Sequence, residues 1–300
     1  MPVKKLDLDL IPQLKTQEVR AKRKVLARML EGSWTALLKG RGMEFAGFRK
    51  YTGSDDASKI DWGASLRANE TLIREYEEYK NVNVLFLLDV SNTMLFSSQR
   101  KLKAEYAAEV VFNLAVSILD NGDSVGYALF TDHIVAKSMP SIGKQAIYGL
   151  ASSLENPKNY GGEKDLKAVV TAVDVMLKQK ALIIIVSDFI GMQDGWERYI
   201  RMLSEKFDLI GIMLRDPRDK AFPDIGSQIL VEDPFSDERI FIDVKDYKPL
   251  FEEAVREEEL YIKGVFEAAK AGLVSVSTDN PDILRPLIDY FKRRSAIIRA

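Results

Sequence analysis

The stretch VNVLFLLDVSNT, residues 82–93, decides the fold. Val82, Val84, Leu85, Phe86, Leu87 and Leu88 form an almost unbroken apolar run, too short for an ordinary helix. Such a run reads as a strand covered on both faces, the usual state of a central strand in a parallel sheet. The run stops at Asp89. Asp89, Ser91 and Thr93 then set a carboxylate and two hydroxyls at alternating positions on the loop leaving the strand. All three are hard oxygen donors suited to a small divalent cation such as magnesium or manganese. A second strand of the same kind, Ala181 to Val186, ends in Ser187 and Asp188. In an open parallel sheet, ligands bind beyond the carboxyl ends of the strands, where the strand order reverses. If the two strands are neighbours there, Asp89, Ser91, Thr93 and Asp188 converge on one site. On local pattern alone a plainer reading stands beside this one, in which Asp89 caps the next turn and the hydroxyls bond backbone.

Outward from this stretch, strands and helices alternate. Leu102, Tyr106, Val110, Leu114 and Ile118 line one face of a helix over 100–120, closed by Asn121-Gly122. Strands are expected at Val125–Phe130 and, antiparallel at the edge, at His133–Ser138, since only Thr131 and Asp132 separate the two. Helices at 142–154 and 163–177 flank a loop at 156–162. After the strand ending at Asp188 come a helix at 195–206, a strand at 207–214, and a small hairpin of 228–231 and 240–244 around a turn at 234–237. A long charged helix over 246–270, a strand at 273–277 and a helix at 282–293 complete the pattern. Alternation of this kind implies parallel pairing with right-handed crossovers, an α/β fold with a doubly wound, mostly parallel, Rossmann-like sheet.

The first 80 residues read differently, and a division into 1–80 and 81–300 is expected. Residues 9–31 look helical, ending near Gly32, with a basic face from Arg20 to Arg28 that reads foremost as solvated. Met43 to Tyr51 suits a strand or hairpin, Asp55 or Asp56 can cap a short helical turn, and Leu66 to Tyr76 can be extended. Arg49, Arg67 and Arg74 face Glu44, Asp55, Asp56, Asp61 and Glu75, an expected set of internal arginine–carboxylate pairs. The segment thus forms an N-terminal helix with an irregular β appendage. Trp62 is expected to be a packed anchor and His133 a surface residue.

Composition narrows the chemistry. Three hundred residues with 46% hydrophobic content supply a sizeable core. A net charge of −2 with both signs dispersed argues against a general nucleic-acid binder. There is no cysteine and one histidine, which excludes zinc-thiolate, thiol and multi-histidine chemistry. No apolar run approaches the roughly 18 residues that span a bilayer, and the N-terminus lacks a signal-peptide core. A cytoplasmic protein is expected.

The loop DVSNT resembles the DxSxT/S signature of the metal-ion-dependent adhesion site of von Willebrand factor A domains, and Ser187-Asp188-Phe189 resembles its third motif. The wider chain resembles the "domain of unknown function 58" family through GRGMEFAGFRKYTGSDDASKIDW, RDPRDKAFPDIG and LVEDPFSDERIFIDV, covering nearly everything beyond about residue 30. Members are typically encoded near MoxR-type AAA+ ATPases. The resemblance therefore implies a non-enzymatic, protein-interaction module that serves such an ATPase or its client in assembly or chaperone-like work. It also implies a threonine from a second loop as a further metal ligand. Here that context reads Tyr160-Gly-Gly-Glu-Lys-Asp165, with Glu163 in the threonine's place. Glu163 either turns away or joins Asp89 and Asp188 as a third carboxylate and internal cap. Asp165 is placed to cap or orient the loop.

The competing function is a magnesium-dependent phosphohydrolase, since a strand-end aspartate beside a cation is how aspartyl-phosphate enzymes begin. Those enzymes want a second acid two residues on, and Ser91 cannot serve as one. The dinucleotide GxGxxG, the phosphate-binding GxxxxGK[ST] and the GxSxG elbow of serine hydrolases have no counterpart.

Overall fold

A computed structural model describes residues 6–13, 44–77, 82–223, 228–233, 236 and 238–299. The chain runs α1 (Leu10–Gln13), β1 (Glu44–Lys50), α2 (Trp62–Ala68), β2 (Leu72–Glu77), β3 (Asn83–Asp89), α3 (Lys103–Asp120), β4 (Ser124–Phe130) and β5 (Ile134–Ser141). It continues through α4 (Lys144–Leu154), α5 (Leu166–Met176), β6 (Ala181–Ser187), α6 (Glu197–Lys206), β7 (Asp208–Arg215) and a one-turn α7 (Pro217–Lys220). Then come β8 (Gln228–Glu232), β9 (Arg239–Asp243), α8 (Val244–Ala268), β10 (Gly272–Ser277) and α9 (Arg285–Arg299). Of the helix expected over 9–31, residues 14–31 with their basic face lie outside the described residues, as does most of the turn at 234–237.

Six strands form one sheet in the order β10-β7-β6-β3-β4-β5. All neighbours are parallel except the edge strand β5, which runs antiparallel to β4. The chain starts the sheet in its middle at β3, winds outward through β4 and β5, then returns to the other side of β3 with β6. The order therefore reverses between β3 and β6, and these two strands are neighbours, as the site required.

Each central strand serves two cores at once. Val84, Phe86 and Leu88 point to one face, with Leu182, Ile184 and Val186 of β6, and meet Leu114 and Ile118 of α3, Leu150 of α4 and Phe291 of α9. Leu85 and Leu87 point to the other, with Ile183 and Ile185, and meet Val169 and Val173 of α5, Ile200 of α6 and Phe266 of α8. This two-sided cover is why the run from Val84 to Leu88 carries no polar residue. Each such side chain contributes about 1.5–3 kcal/mol on burial. Leu6 and Leu10 belong to the first of these cores, so the earliest described residues pack with the sheet. The Leu10 amide donates to Glu155 at 3.0 Å, and the Asp7 amide donates to Glu105.

In the region before the sheet, β1 and β2 pair antiparallel. The expected extended run from Leu66 is instead the end of α2, with the strand beginning at Leu72. Asp61 starts that helix by accepting the Ala64 amide, and Asn69 ends it in the left-handed conformation at φ 55°. Asp56 caps the preceding turn by accepting from the Ser58 amide. Arg49 pairs bidentately with Asp55 at 2.8 and 2.7 Å, and Arg74 pairs with Asp61 at 2.6 Å, as expected of this segment. Trp62 is 67% exposed and is no packed anchor, because the first turn of α2 turns it outward. His133 is a surface residue paired with Asp132 at 2.7 Å.

Candidate functional site

The loops leaving β3 and β6 meet at the reversal point. Asp89 ends β3 and Asp188 follows β6, both fully buried. Ser91 and Thr93, also buried, lie 3.3 Å apart through their hydroxyls, and Thr93 Oγ1 donates to Asp188 Oδ1 at 3.2 Å. The four oxygen-bearing residues named from the sequence therefore converge. Asp89 Oδ1 accepts the Ser91 amide at 2.9 Å, so Asp89 also performs the plainer role of ordering its own loop.

Glu163 does not join them. Its side chain is exposed, and the next residue enters instead. Lys164 is 2% exposed, and its ammonium stands 2.7 Å from Asp89 Oδ2 and 2.6 Å from Asp188 Oδ1. The local chain explains the exchange. Gly161 and Gly162 take φ of 118° and 97°, values that favour glycine, and carry the loop over the end of β3. The Gly161 amide donates to the Val90 carbonyl at 2.8 Å, and Asn92 clasps Gly162 from both sides, its amide on the Gly162 carbonyl and its Oδ1 on the Gly162 amide. The Asp165 amide is held on the Thr131 carbonyl at 3.0 Å, and Asp165 caps α5 by accepting from the Lys167 amide. The helix expected from Glu163 thus starts at Leu166. Residues 163 and 164 remain in the loop with their side chains parted, one to solvent and one to the strand ends.

A second lysine completes the cluster. Lys103, 1% exposed at the start of α3, reaches Asp188 Oδ2 at 2.8 Å and both oxygens of Asp219 at 3.0 and 2.8 Å. Three carboxylates thus share two ammoniums in a nearly water-free space. Burial opposes ionisation of Asp188, but the ammoniums of Lys164 and Lys103 offset it and hold its carboxyl well below the usual carboxylate range. Burial likewise opposes charge on Lys164, and Asp188 and Asp89 more than compensate, raising it above the ordinary lysine value. Ser187 Oγ donates to Asp89 Oδ2 at 2.6 Å and takes the Phe189 amide at 3.0 Å. Phe189 itself sits at φ 55°, a conformation costing a non-glycine residue roughly 1–3 kcal/mol. Its ring is fixed between Trp196 and Phe266, with centroids 5.9 and 5.5 Å away, and this aims Asp188 back at the lysines.

The residues do not fit a divalent ion as they stand. An ion bridging Asp89 and Asp188 needs the place that the Lys164 ammonium takes, and no third acid from Glu163 is offered. Among the described residues no group of three or more histidines, cysteines or acids is arranged to hold a metal. Lys103, Lys164 and Asp219 were missed from the sequence because none of them directly follows one of the two buried apolar runs that marked the site, and lysine is not a metal ligand in this setting. One signal was present: Asp216 and Asp219 lie in RDPRDKAFPDIG. There they form a capping box on α7, and Asp216 also accepts from Ser97, Ser98 and Thr278.

Beside the cluster lies a cleft of about 900 Å³. Thr93, Lys103 and Asp219 form its boundary with the buried charges, and Phe96, Ile190, Phe222, Leu230, Val231 and Phe251 supply apolar walls. Arg215, 1% exposed, gives Nη2 to Glu258 at 2.8 Å while its buried Nε has no acceptor among the described residues. The β8–β9 hairpin at the rim presents Phe241 at 74% and Ile240 at 60% exposure.

Several known proteins resemble the chain. "Uncharacterized protein Rv1480" of Mycobacterium tuberculosis is 23% identical over 295 residues, spanning 97% of this chain and 92% of that protein. "Uncharacterized protein MAV169" of Mycobacterium avium is 23% identical over 134 residues, 45% of this chain and 78% of that protein. Among solved structures, the conserved hypothetical protein BatB of Bacteroides thetaiotaomicron superposes with a TM-score of 0.47 at 15% identity, over 72% of this chain and all of that one. An aerotolerance-related membrane protein of Bacteroides fragilis gives a TM-score of 0.42 at 15% identity, over 71% and 100% of the two chains. The family model described as "Protein of unknown function DUF58" matches residues 47–261, and the chain belongs to that family.

Proposed function

We propose that this chain is a non-enzymatic, von Willebrand factor A-like interaction module that docks a partner protein at the carboxyl edge of its sheet. The observation that carries the reading is the apolar cleft beside a buried charge cluster, with a buried donor at its boundary, Arg215 Nε, that has no acceptor among the described residues. A buried donor without an acceptor costs about 1–3 kcal/mol, which a carbonyl or carboxylate brought by a partner would relieve. Exposed apolar side chains on β9 extend the same surface outward. The partner proposed is a MoxR-type AAA+ ATPase or its client, on the strength of the family resemblance, and a cytoplasmic setting goes with that partner. Among the described residues no helix is long and apolar enough to cross a membrane. The strand order, with its reversal between β3 and β6, and the convergence of Asp89, Ser91, Thr93 and Asp188 support the von Willebrand factor A comparison. Residues 1–80 are proposed as an accessory segment to this module, with the α1 end anchored in its core.

The phosphohydrolase alternative is less well supported. A nucleophilic Asp89 needs an oxygen open to substrate, whereas Asp89 is fully buried with Oδ1 on the Ser91 amide and Oδ2 on Lys164 and Ser187. The test is a binding titration of a MoxR-type ATPase with the wild type, Leu230→Asp and Phe241→Asp. Loss of about tenfold or more in affinity, with unfolding temperatures unchanged, is expected for both variants. Equal affinity for all three, or Asp89-dependent release of phosphate from a phosphomonoester with magnesium, would overturn the proposal.

A further inference from the structure

We infer that Lys164 is a resident cation, which takes the place of a divalent ion between the strand-end carboxylates and makes this site independent of metal. Its ammonium bridges one oxygen of Asp89 and one of Asp188 at 2.7 and 2.6 Å, tying the loop after β3 to the loop after β6. A divalent ion in a site of this kind does the same, joining loops that the sheet brings together. Magnesium needs oxygens at about 2.0–2.1 Å around it. It cannot share both carboxylates with an ammonium already in contact with them, because the two like charges would lie within a few ångströms in a space that excludes water.

The lysine is held there by more than its charge. Asn92 and Gly162 clasp the loop that carries it, the Asp165 amide is anchored on Thr131, and α5 begins immediately afterwards under the Asp165 cap. Expelling the side chain to admit metal would break two buried ion pairs and leave a long apolar stem to be rehoused. Removal of the ammonium by mutation is different. It leaves Asp89, Ser91, Thr93 and Asp188, four hard oxygen donors, around a space the size of the lost group. Lys103 stays on the far oxygen of Asp188, at 2.8 Å. Lys164→Ala therefore uncovers a divalent-cation site in a chain whose wild type has none. The inference stands whatever partner the cleft receives, since the measurement below uses the chain alone.

The experiment is a manganese titration followed by electron paramagnetic resonance, with thermal unfolding of the same samples in EDTA and in manganese. The wild type is expected to leave the free-manganese signal unchanged through the millimolar range and to unfold at one temperature in both media. Lys164→Ala is expected to unfold earlier in EDTA, to bind one manganese ion about tenfold or more tightly than the wild type, and to recover part of its lost unfolding temperature on binding. Asp89→Asn in the Lys164→Ala background should abolish that binding. Lys164→Met, which keeps the volume of the buried stem, carries the same expectation if the alanine variant does not fold. Stoichiometric, Asp89-dependent manganese binding by the wild type would overturn the inference. So would a folded Lys164 variant that gains no affinity, or failure of both variants to fold even with manganese present, since the ion should then replace the missing charge.

Discussion

At the scale of single residues, the buried cluster is a closed exchange between Asp89, Asp188 and Asp219 on one side and Lys103 and Lys164 on the other. Removing one partner of a buried pair strands the other without water, at a cost of about 3–5 kcal/mol. Lys103→Met is accordingly expected to lower stability by that amount in urea unfolding, and a loss near zero would show the cluster to be solvated. The pH response follows from the directions of the shifts. Asp188 is depressed, so its contribution is present above the ordinary aspartate value of about 3.9 and is lost as pH falls through the lower folded value. Lys164 is raised, so its contribution is present below about 10.4 and is lost only as pH rises beyond that. The stability gap between wild type and Lys164→Met should therefore be constant from about pH 5 to pH 9 and narrow in strong acid. A gap that widened in acid would contradict the pairing. Asp89, Ser91, Thr93 and Asp188 were legible in the sequence because each follows or ends a recognisable strand. Lys164 was not, because its position depends on a loop turned by two glycines and on where the next helix begins.

At the scale of elements, the capping of α5 decides which side chain reaches the strand ends. The β3 and β6 runs announced themselves by continuous apolar residues, and their neighbouring places followed once the order reversed between them. The start of α5 did not, since Glu163 and Lys164 suit a helix as well as a loop; the Asp165 side chain on the Lys167 amide settles it. Asp165→Ala should cost about 1 kcal/mol through the lost cap, read as a lower midpoint in urea. A further loss is expected if Lys164 drifts from its partners. The extended run read over Leu66–Tyr76 is strand from Leu72 and missed its first residues for a similar reason: the side-chain cap at Asp61 and a left-handed Asn69 are local events that an alternation of apolar residues does not report. The edge of the sheet offers a separate test. A Cβ on Gly126 would lie 2.8 Å from the Pro140 nitrogen and 2.9 Å from the Ser138 carbonyl, backbone atoms of β5 that cannot move aside alone. Gly126→Ala is expected to destabilise by about 1–3 kcal/mol and to loosen β5, seen as faster amide exchange there. Unchanged exchange and stability would contradict the close approach.

At the scale of the whole molecule, the doubly wound sheet brings its polar loops to one end and leaves an apolar cleft there, between the loop after β3, α7, the β8–β9 hairpin and α8. Composition and strand pattern made the sheet legible from the sequence. The cleft was not legible, because its walls come from Phe96, Phe222, Leu230 and Phe251, which are distant along the chain. With the charges beneath it, the cleft is the surface proposed for docking, and the proposed partner should meet it through apolar contact and a group that satisfies Arg215. The most direct measurement is amide hydrogen exchange of the chain, alone and saturated with a MoxR-type ATPase. Slowed exchange is predicted at β8, β9 and the first half of α8, with the strands of the central sheet unchanged. No protection anywhere, or protection confined to the opposite end of the sheet, would contradict docking at this edge.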